Sequence, residues 1–307
     1  MEKIIMGSIQ KLVIAGAGVM GSQVAWQAAW HGKTVHVYDA FEEGLKNGDK
    51  LFSSYMDEFV EKRGESRDRV EAARQRISGT TDLQAALADA DMVIEQVPEN
   101  MKIKQEFWEK ASGFAPEKTI FCTNTSSLLP SAMLPFVDRP KKFLTLHFCV
   151  KVWEANIGEV MLTPETDPSL RETVSEFARE IGLVPVQVQK EQPGYILNSL
   201  LIPLMRATIE LVRNGVGSPQ DIDRVWRICM GGTGPVEMID KVGMQVCYHL
   251  LQGIGEQGDQ NAAEQAEFFK TEFIDKGKLG ISSGEGFYTY PNPAFEAPDF
   301  LEPGAKE

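Results

Sequence analysis

Residues 11–21 read KLVIAGAGVMG. The run Lys11 to Ala15 is branched and apolar, the pattern of a buried strand, and it leads through Gly16, Gly18 and Gly21 into a helical stretch, Met20 to His31, that stops at Gly32. Gly16 permits a tight turn, Gly18 lets the backbone approach a pyrophosphate, and Gly21 lets helix and strand pack closely. At the opening of the helix, Val19 and Met20 offer backbone N–H groups and a partial positive charge to phosphates. A second strand, Thr34 to Tyr38 (TVHVY), ends at Asp39, where an acid accepts hydrogen bonds from the ribose hydroxyls of an adenine dinucleotide. The plainer alternative is a glycine turn with a capping aspartate. Asp39 repels a 2′-phosphate, and Ala40-Phe41-Glu42-Glu43 supplies no cation to relieve it, so NAD(H) is favoured over NADP(H).

Working outward, the first half alternates short β-rich runs with helical patterns. Ile77 to Thr80, Met92 to Gln96, Thr119 to Thr123, Phe143 to His147, Glu159 to Leu162 and Val184 to Val188 read as strands. Lys102 to Phe114 reads as a helix, and Glu42 to Arg76 as a long charged helical excursion broken near Gly64. Short apolar strands separated by helices predict a parallel, buried sheet, hence an α/β domain. Beyond Gln192-Pro193-Gly194 helices dominate: Tyr195 to Asn214, Pro219 to Cys229, Pro235 to Gln252 and Asn261 to Ile274. Pro219 and Pro235 suit a first helical position, where the missing N–H costs nothing. The expected boundary is near residue 190, giving domains 1–190 and 191–307.

The 307 residues are 43% hydrophobic and 24% charged, which excludes disordered and fibrous classes. A net charge of −13 makes nucleic acid and anionic membrane surfaces poor partners. The most apolar stretch, Ile196 to Met205, is broken by Asn198, Ser199 and Pro203, so no membrane span is expected. Glu2 and Lys3 lead into a short apolar piece without a cleavage site, so no signal peptide is expected. Cys122, Cys149, Cys229 and Cys247 are scattered with no CxxC pair, which predicts reduced thiols, a cytoplasmic location and no metal site.

Of four histidines, His31 sits at a helix C-terminus, and His36 and His249 lie inside a strand and a helix with no motif around them; all three read as structural. His147 ends a strand on the carboxyl side of the sheet, where open α/β folds place their ligands, and Glu159 follows at the start of another strand. Imidazole titrates near neutrality, so it can take a proton from a secondary alcohol during hydride transfer, or return one to a developing alkoxide; a carboxylate beside it fixes the tautomer and stabilises the imidazolium. Ser126, in TNTSS after the TIFC strand, is either a hydrogen-bond partner for the reacting oxygen or a cap for the next turn. Asn198, in the apolar run YILNSLL, is either a packing polar group or a second ligand for that oxygen.

These residues resemble the L-3-hydroxyacyl-CoA dehydrogenase family over nearly the whole chain, through VIAGAGVMGSQVA, IEQVPEN, TNTSSL, LHF with GEVM, QPGYILNSLL, GPVEMIDKVG and GKLGISSGEGFYTY. The resemblance implies a Rossmann-like doubly wound sheet domain followed by an all-helical C-terminal domain that forms the homodimer. It implies that His147 is the general acid/base and Glu159 its partner, that Ser126 and Asn198 bind the 3-oxygen, and that Glu99 and Lys104 lie near the cofactor. Several segments, among them KTIFCTNTSSLLPS and VWEANIGEVM, are similar to the bacterial diketoreductase branch, which implies reduction of β-keto or 3,5-diketo carbonyls without a coenzyme A handle.

Two departures stand out. The family's His-Phe-Phe-Asn-Pro is His147-Phe148-Cys149-Val150-Lys151 here, so Val150, expected to line the cleft, removes a polar group beside the chemistry. The stretch Met56 to Arg76, where the family holds coenzyme A phosphates, carries six basic and six acidic residues, a solvated face as readily as a clamp. The expected function is NADH-dependent interconversion of 3-hydroxyacyl and 3-ketoacyl compounds, with coenzyme A thioesters among the candidate substrates. The alternatives are the same chemistry on free keto acids or diketo esters, a non-catalytic NAD-binding crystallin-like protein, and a hydrolase using Cys149.

Overall fold

A computed structural model describes residues 9–303; the N-terminal expectation at Glu2 and Lys3 lies outside the described residues. The chain divides into two compact units, Met1–Ile196 and Leu197–Glu307.

The first unit is an α/β sheet domain. Its elements are β1 (Lys11–Ala15), α1 (Val19–Trp30), β2 (Thr34–Tyr38), α2 (Glu42–Glu61), α3 (Arg67–Arg74), β3 (Ile77–Thr80), α4 (Leu83–Leu87), β4 (Met92–Glu95), α5 (Met101–Phe114), β5 (Ile120–Thr123), β6 (Phe143–Phe148), β7 (Ile157–Leu162), α6 (Leu170–Glu180) and β8 (Val184–Val188). The eight strands lie in the order β3-β2-β1-β4-β5-β6-β7-β8. The order reverses between β1 and β4, which opens a crevice at their carboxyl ends.

Alternation along β1 fixes the two cores. Leu12 and Ile14 join the cluster under α1 and α2, with Trp26, Phe59 and Trp153. Val13 and Ala15 face the opposite layer, with Phe107, Trp108 and Phe121. Because both faces are covered, β1, β4 and β5 carry unbroken apolar runs (Leu12 to Ala15, Met92 to Ile94, Ile120 to Cys122) rather than alternating. Trp26, fully buried, meets Phe59 edge-on at 5.5 Å; cutting such a side chain to alanine costs about 3–5 kcal/mol. Asn100 caps α5 by accepting from the N–H groups of Lys102 and Ile103, which sets the start of the helix that carries Lys104. The charged excursion is two helices parted at Gly64, whose φ of +70° is left-handed.

The expected all-parallel sheet holds for β1 to β6 but not beyond. β7 runs antiparallel to β6, because the residues between them, 149–156, are too few for the dozen or more that a parallel crossover needs. β8 then pairs parallel with β7 after α6, a helix the sequence pattern did not reveal.

The second unit contains α7 (Leu197–Arg213), α8 (Pro219–Cys229), α9 (Pro235–Val242), α10 (Met244–Glu256) and α11 (Gln260–Glu272). The single helix expected over Pro235 to Gln252 is two, because Gly243 adopts φ +93° and no helix continues through that conformation. Its core joins Met205 and Ile209 to Ile239, Met244, Cys247, Leu251, Ala266 and Phe269. Two buried acids pin it. Asp223 accepts from the N–H groups of Val236 and Glu237 at the start of α9 and from the Tyr288 hydroxyl. Asp240 accepts from Phe287 N, Tyr288 N and the Tyr290 hydroxyl. No described helix is long and apolar enough to cross a membrane, and all four cysteines are free.

Candidate active site

The glycine turn closes on one side and opens on the other. A Cβ on Gly16 would stand 2.6 Å from the Gln96 carbonyl oxygen, and one on Gly21 only 1.9 Å from that of Gly16, whereas one on Gly18 would meet nothing within 4 Å. Gly18 caps α1 with no side-chain bond, so the amides of Val19 and Met20 open the helix without a side-chain acceptor. Asp39 braces the turn: its carboxylate accepts from Ala17 N at 2.9 Å and Phe41 N at 3.0 Å. Gly44 lets α2 approach, since a Cβ there would fall 2.4 Å from the Asp39 carboxyl carbon.

Strand register brings His147 and Glu159 together. In the antiparallel β6–β7 ladder His147 stands directly opposite Glu159, and Nδ1–H of His147 donates to Glu159 Oε2 at 2.8 Å. Both side chains are buried, at 5% and 1% exposure, so the pair acts in a low-dielectric setting where its attraction exceeds the surface value. The other Glu159 oxygen accepts from Ile196 N at 2.9 Å. On the far side of the ring, Ser126 Oγ lies 3.3 Å from Nε2. Ser126 does not cap the next helical turn, which Leu129 opens.

The turn carrying Ser126 is held from below. One oxygen of Glu99 accepts from Thr125 Oγ1, Ser126 N, Ser127 N and Ser127 Oγ at 2.5–2.9 Å. Its other oxygen pairs with Lys104 at 3.2 Å. Lys104 is buried and bonds Glu95 at 2.7 Å, and Glu95 also accepts from Thr123 Oγ1 and Val97 N. Burial raises Glu99, but Lys104 and the Thr125 and Ser127 donors outweigh it and hold the carboxyl at about 2; burial pushes Glu95 up. Glu99 and Lys104 thus brace the serine turn.

Amide side chains tie the glycine turn to His147. Gln96 packs against Gly16 and Gly21. Asn124 Nδ2 donates to Gln96 Oε1 at 2.7 Å, and Phe148 N donates to Asn124 Oδ1 at 2.9 Å. That chain fixes which way both amides face and leaves Gln96 Nε2 buried without a partner among the described residues. On α1, Gln23 Oε1 accepts from Lys151 N at 2.6 Å. Lys151 has φ +60°, which the family's proline, locked near −65°, cannot adopt. Val150 stands beside it, 62% exposed. Burial and the Glu159 charge push the Cys149 thiol up to about 11, the direction that disfavours the thiolate a nucleophile needs.

The sequence pattern did not disclose Gln23, Gln96, Asn124 or Tyr195. Tyr195 is buried and stacks flat on the His147 ring; an aromatic directly after Pro193-Gly194 was the available signal. Asn198 stands half-buried in the first turn of α7, in the second unit.

Two family models match the chain, "3-hydroxyacyl-CoA dehydrogenase, NAD binding domain" over residues 11–192 and "3-hydroxyacyl-CoA dehydrogenase, C-terminal domain" over 194–290. This chain belongs to the 3-hydroxyacyl-CoA dehydrogenase family. It is 31% identical over 288 residues to the mitochondrial hydroxyacyl-coenzyme A dehydrogenase of Sus scrofa, covering 92% of this chain and 91% of that one. A probable 3-hydroxybutyryl-CoA dehydrogenase of Deinococcus radiodurans is 31% identical, covering 91% and 100%. A solved diketoreductase structure, described as performing substrate-directed dual catalysis of dicarbonyl compounds, is 42% identical with a TM-score of 0.87, covering 93% and 100%. The chain is an NAD-dependent oxidoreductase, and its glycine turn fits that cofactor. The open side at Gly18, the uncapped amides and the stranded Gln96 donor are what a dinucleotide's oxygens require.

Proposed function

We propose that this dehydrogenase interconverts a 3-hydroxy and a 3-keto compound, with His147 moving the proton. The carrying observation is an imidazole held at Nδ1 by a buried carboxylate while Nε2 looks toward a serine hydroxyl at the carboxyl edge of the sheet. NAD(H), when bound, accepts or supplies the hydride at C3. Gly16, Gly18, Val19, Met20 and Gly21 would seat its phosphates, and Asp39 the adenosine ribose. In oxidation His147 Nε2 takes the hydroxyl proton and Glu159 stabilises the resulting imidazolium; in reduction the proton goes back to the alkoxide. Ser126 Oγ holds the reacting oxygen, and Asn198 is assigned the same task. Residues 1–190 bind the cofactor; residues 191–307 take part in substrate binding and in a homodimer. Exposed Val216, Val225, Ile228 and Met230 support the dimer. Free thiols suit a reducing, cytoplasmic setting.

A second reading, without coenzyme A, has a specific observation behind it. Four of the eight cations between Glu42 and Arg76 are engaged internally. Arg69 pairs with Glu65 and covers Trp30, Arg74 bonds Asp49 and the Ile77 carbonyl, Arg63 lies over Phe59, and Arg76 bonds the Ala72 carbonyl. That leaves Lys46, Lys50, Lys62 and Arg67, half of the set, for thioester phosphates, and the diketoreductase likeness supports the second reading. NADH oxidation followed with acetoacetyl-CoA and with a β-diketo ester separates the two: a large preference for the thioester removes the second reading. His147→Ala lowers turnover about 10²–10⁴-fold on either substrate while NADH binding persists; full turnover in that variant overturns the assignment.

A further inference from the structure

Tyr195 and Ile196 between them meet His147, Glu159 and the turn that carries Ser126. The Tyr195 ring lies on the His147 imidazole with centroids 4.4 Å apart and planes 5° from parallel. Its hydroxyl donates to the Thr125 carbonyl at 2.6 Å, one residue before Ser126. The next amide, Ile196 N, donates to Glu159. Tyr195 reaches this position at φ +55°, following Gly194 at +78°, a backbone conformation that a bulky residue holds only when its surroundings compel it.

We propose that Tyr195 is a positioning residue that clamps the His147 ring in plane and favours its protonated form. The inference rests on the acid/base role proposed above for His147. With Glu159 on Nδ1, Ser126 at Nε2 and a flat ring against one face, the imidazole keeps Nε2 on the side where the substrate oxygen must come. The phenol presents its electron-rich face to that ring, and a cation there is attracted more than a neutral ring. The Tyr195 hydroxyl, occupied by Thr125, acts on the serine turn and is not the proton donor. The titratable and charged groups around the ring are Glu159 on β7, Cys149 after β6, and the Glu95–Lys104–Glu99 set behind the serine turn; none of them is substituted in the variants below.

The test compares kcat against pH, in the reductive direction, for the wild-type enzyme, Tyr195→Leu and Tyr195→Phe. Loss of the ring in Tyr195→Leu lowers the apparent pKa by about half a unit to one unit. It also lowers kcat about tenfold, with KM for NADH unchanged. Tyr195→Phe keeps the ring and retains the wild-type pKa. A wild-type pKa in Tyr195→Leu, or an equal shift in Tyr195→Phe, overturns the inference. Should Tyr195→Leu fail to fold, Tyr195→Asn removes the ring with a residue that tolerates positive φ. In the wild-type protein itself, stacking shifts the His147 ring protons upfield in NMR spectra, and their absence upfield overturns the clamp. A turnover-competent His147→Ala removes the acid/base reading itself; an inactive His147→Ala beside an unshifted Tyr195→Leu removes this inference alone.

Discussion

Glu159 in the sheet domain and Asp240 in the helical unit are equally buried, at 1% exposure each, yet they serve different ends. Asp240 spends its oxygens on two backbone amides and a tyrosine hydroxyl, partners whose state does not change near neutrality. Gly286 is glycine because a Cβ there would lie 2.4 Å from that carboxylate. Glu159 gives one oxygen to a backbone amide and the other to a ring that titrates, whose second nitrogen faces a serine hydroxyl. Burial alone therefore does not mark a reactive acid. The mark is a partner able to change its protonation state, with its second nitrogen turned toward a hydroxyl.

Replacing the two acids is the strongest way to break the comparison. Glu159→Gln leaves the ladder intact but removes the charge that fixes the His147 tautomer. Steady-state kinetics should show kcat reduced about 10²–10⁴-fold with thermal stability little changed. Asp240→Ala should do the converse. It strands three donors and costs about 3 kcal/mol of stability, seen as a lower urea midpoint, while kcat per folded molecule is retained. Equal losses of activity in both variants would dissolve the distinction.

A smaller effect separates the units by pH. Burial raises Asp223 and Asp240 in the folded helical unit despite their amide and hydroxyl donors. Their contribution is complete below the unfolded carboxylate range and fades as pH rises through the folded values. Glu99 behaves oppositely. With its folded value held at about 2 against 4.5 unfolded, its contribution is complete above pH 4.5 and disappears as pH falls toward 2. Scanning calorimetry at pH 6 and pH 3 should show a smaller drop in Tm for Glu99→Gln than for the wild type; an unchanged drop would mean that Glu99 does not anchor the serine turn.

What was legible in the sequence was local. The glycine turn, Asp39 and the strands that flank them lie between Lys11 and Asp39, and their backbone demands are written in residue type. His147 and Glu159 were legible as residues, and their pairing as what the family resemblance implies; the antiparallel register of β6 and β7 that makes the contact, set by a connection too short for a crossover, was not. Periodicity carried the helix reading straight through Gly243, whose left-handed φ breaks it, and it passed over α6 between two strands. Lys104 is close to Glu99 in sequence, yet its burial between Glu95 and Glu99 depends on how β4 and α5 pack. The stacking of Tyr195 on His147 joins residues 48 apart through an unusual backbone conformation, and no pattern of polarity announces such a contact.

Gln23 gives α1 a second duty. The helix that begins at the glycine turn also grips, through one side-chain oxygen, the backbone just past the end of β6 at Lys151. The glycine turn and the backbone that leaves β6 are therefore mounted on one rod, and a displacement of the helix carries both together.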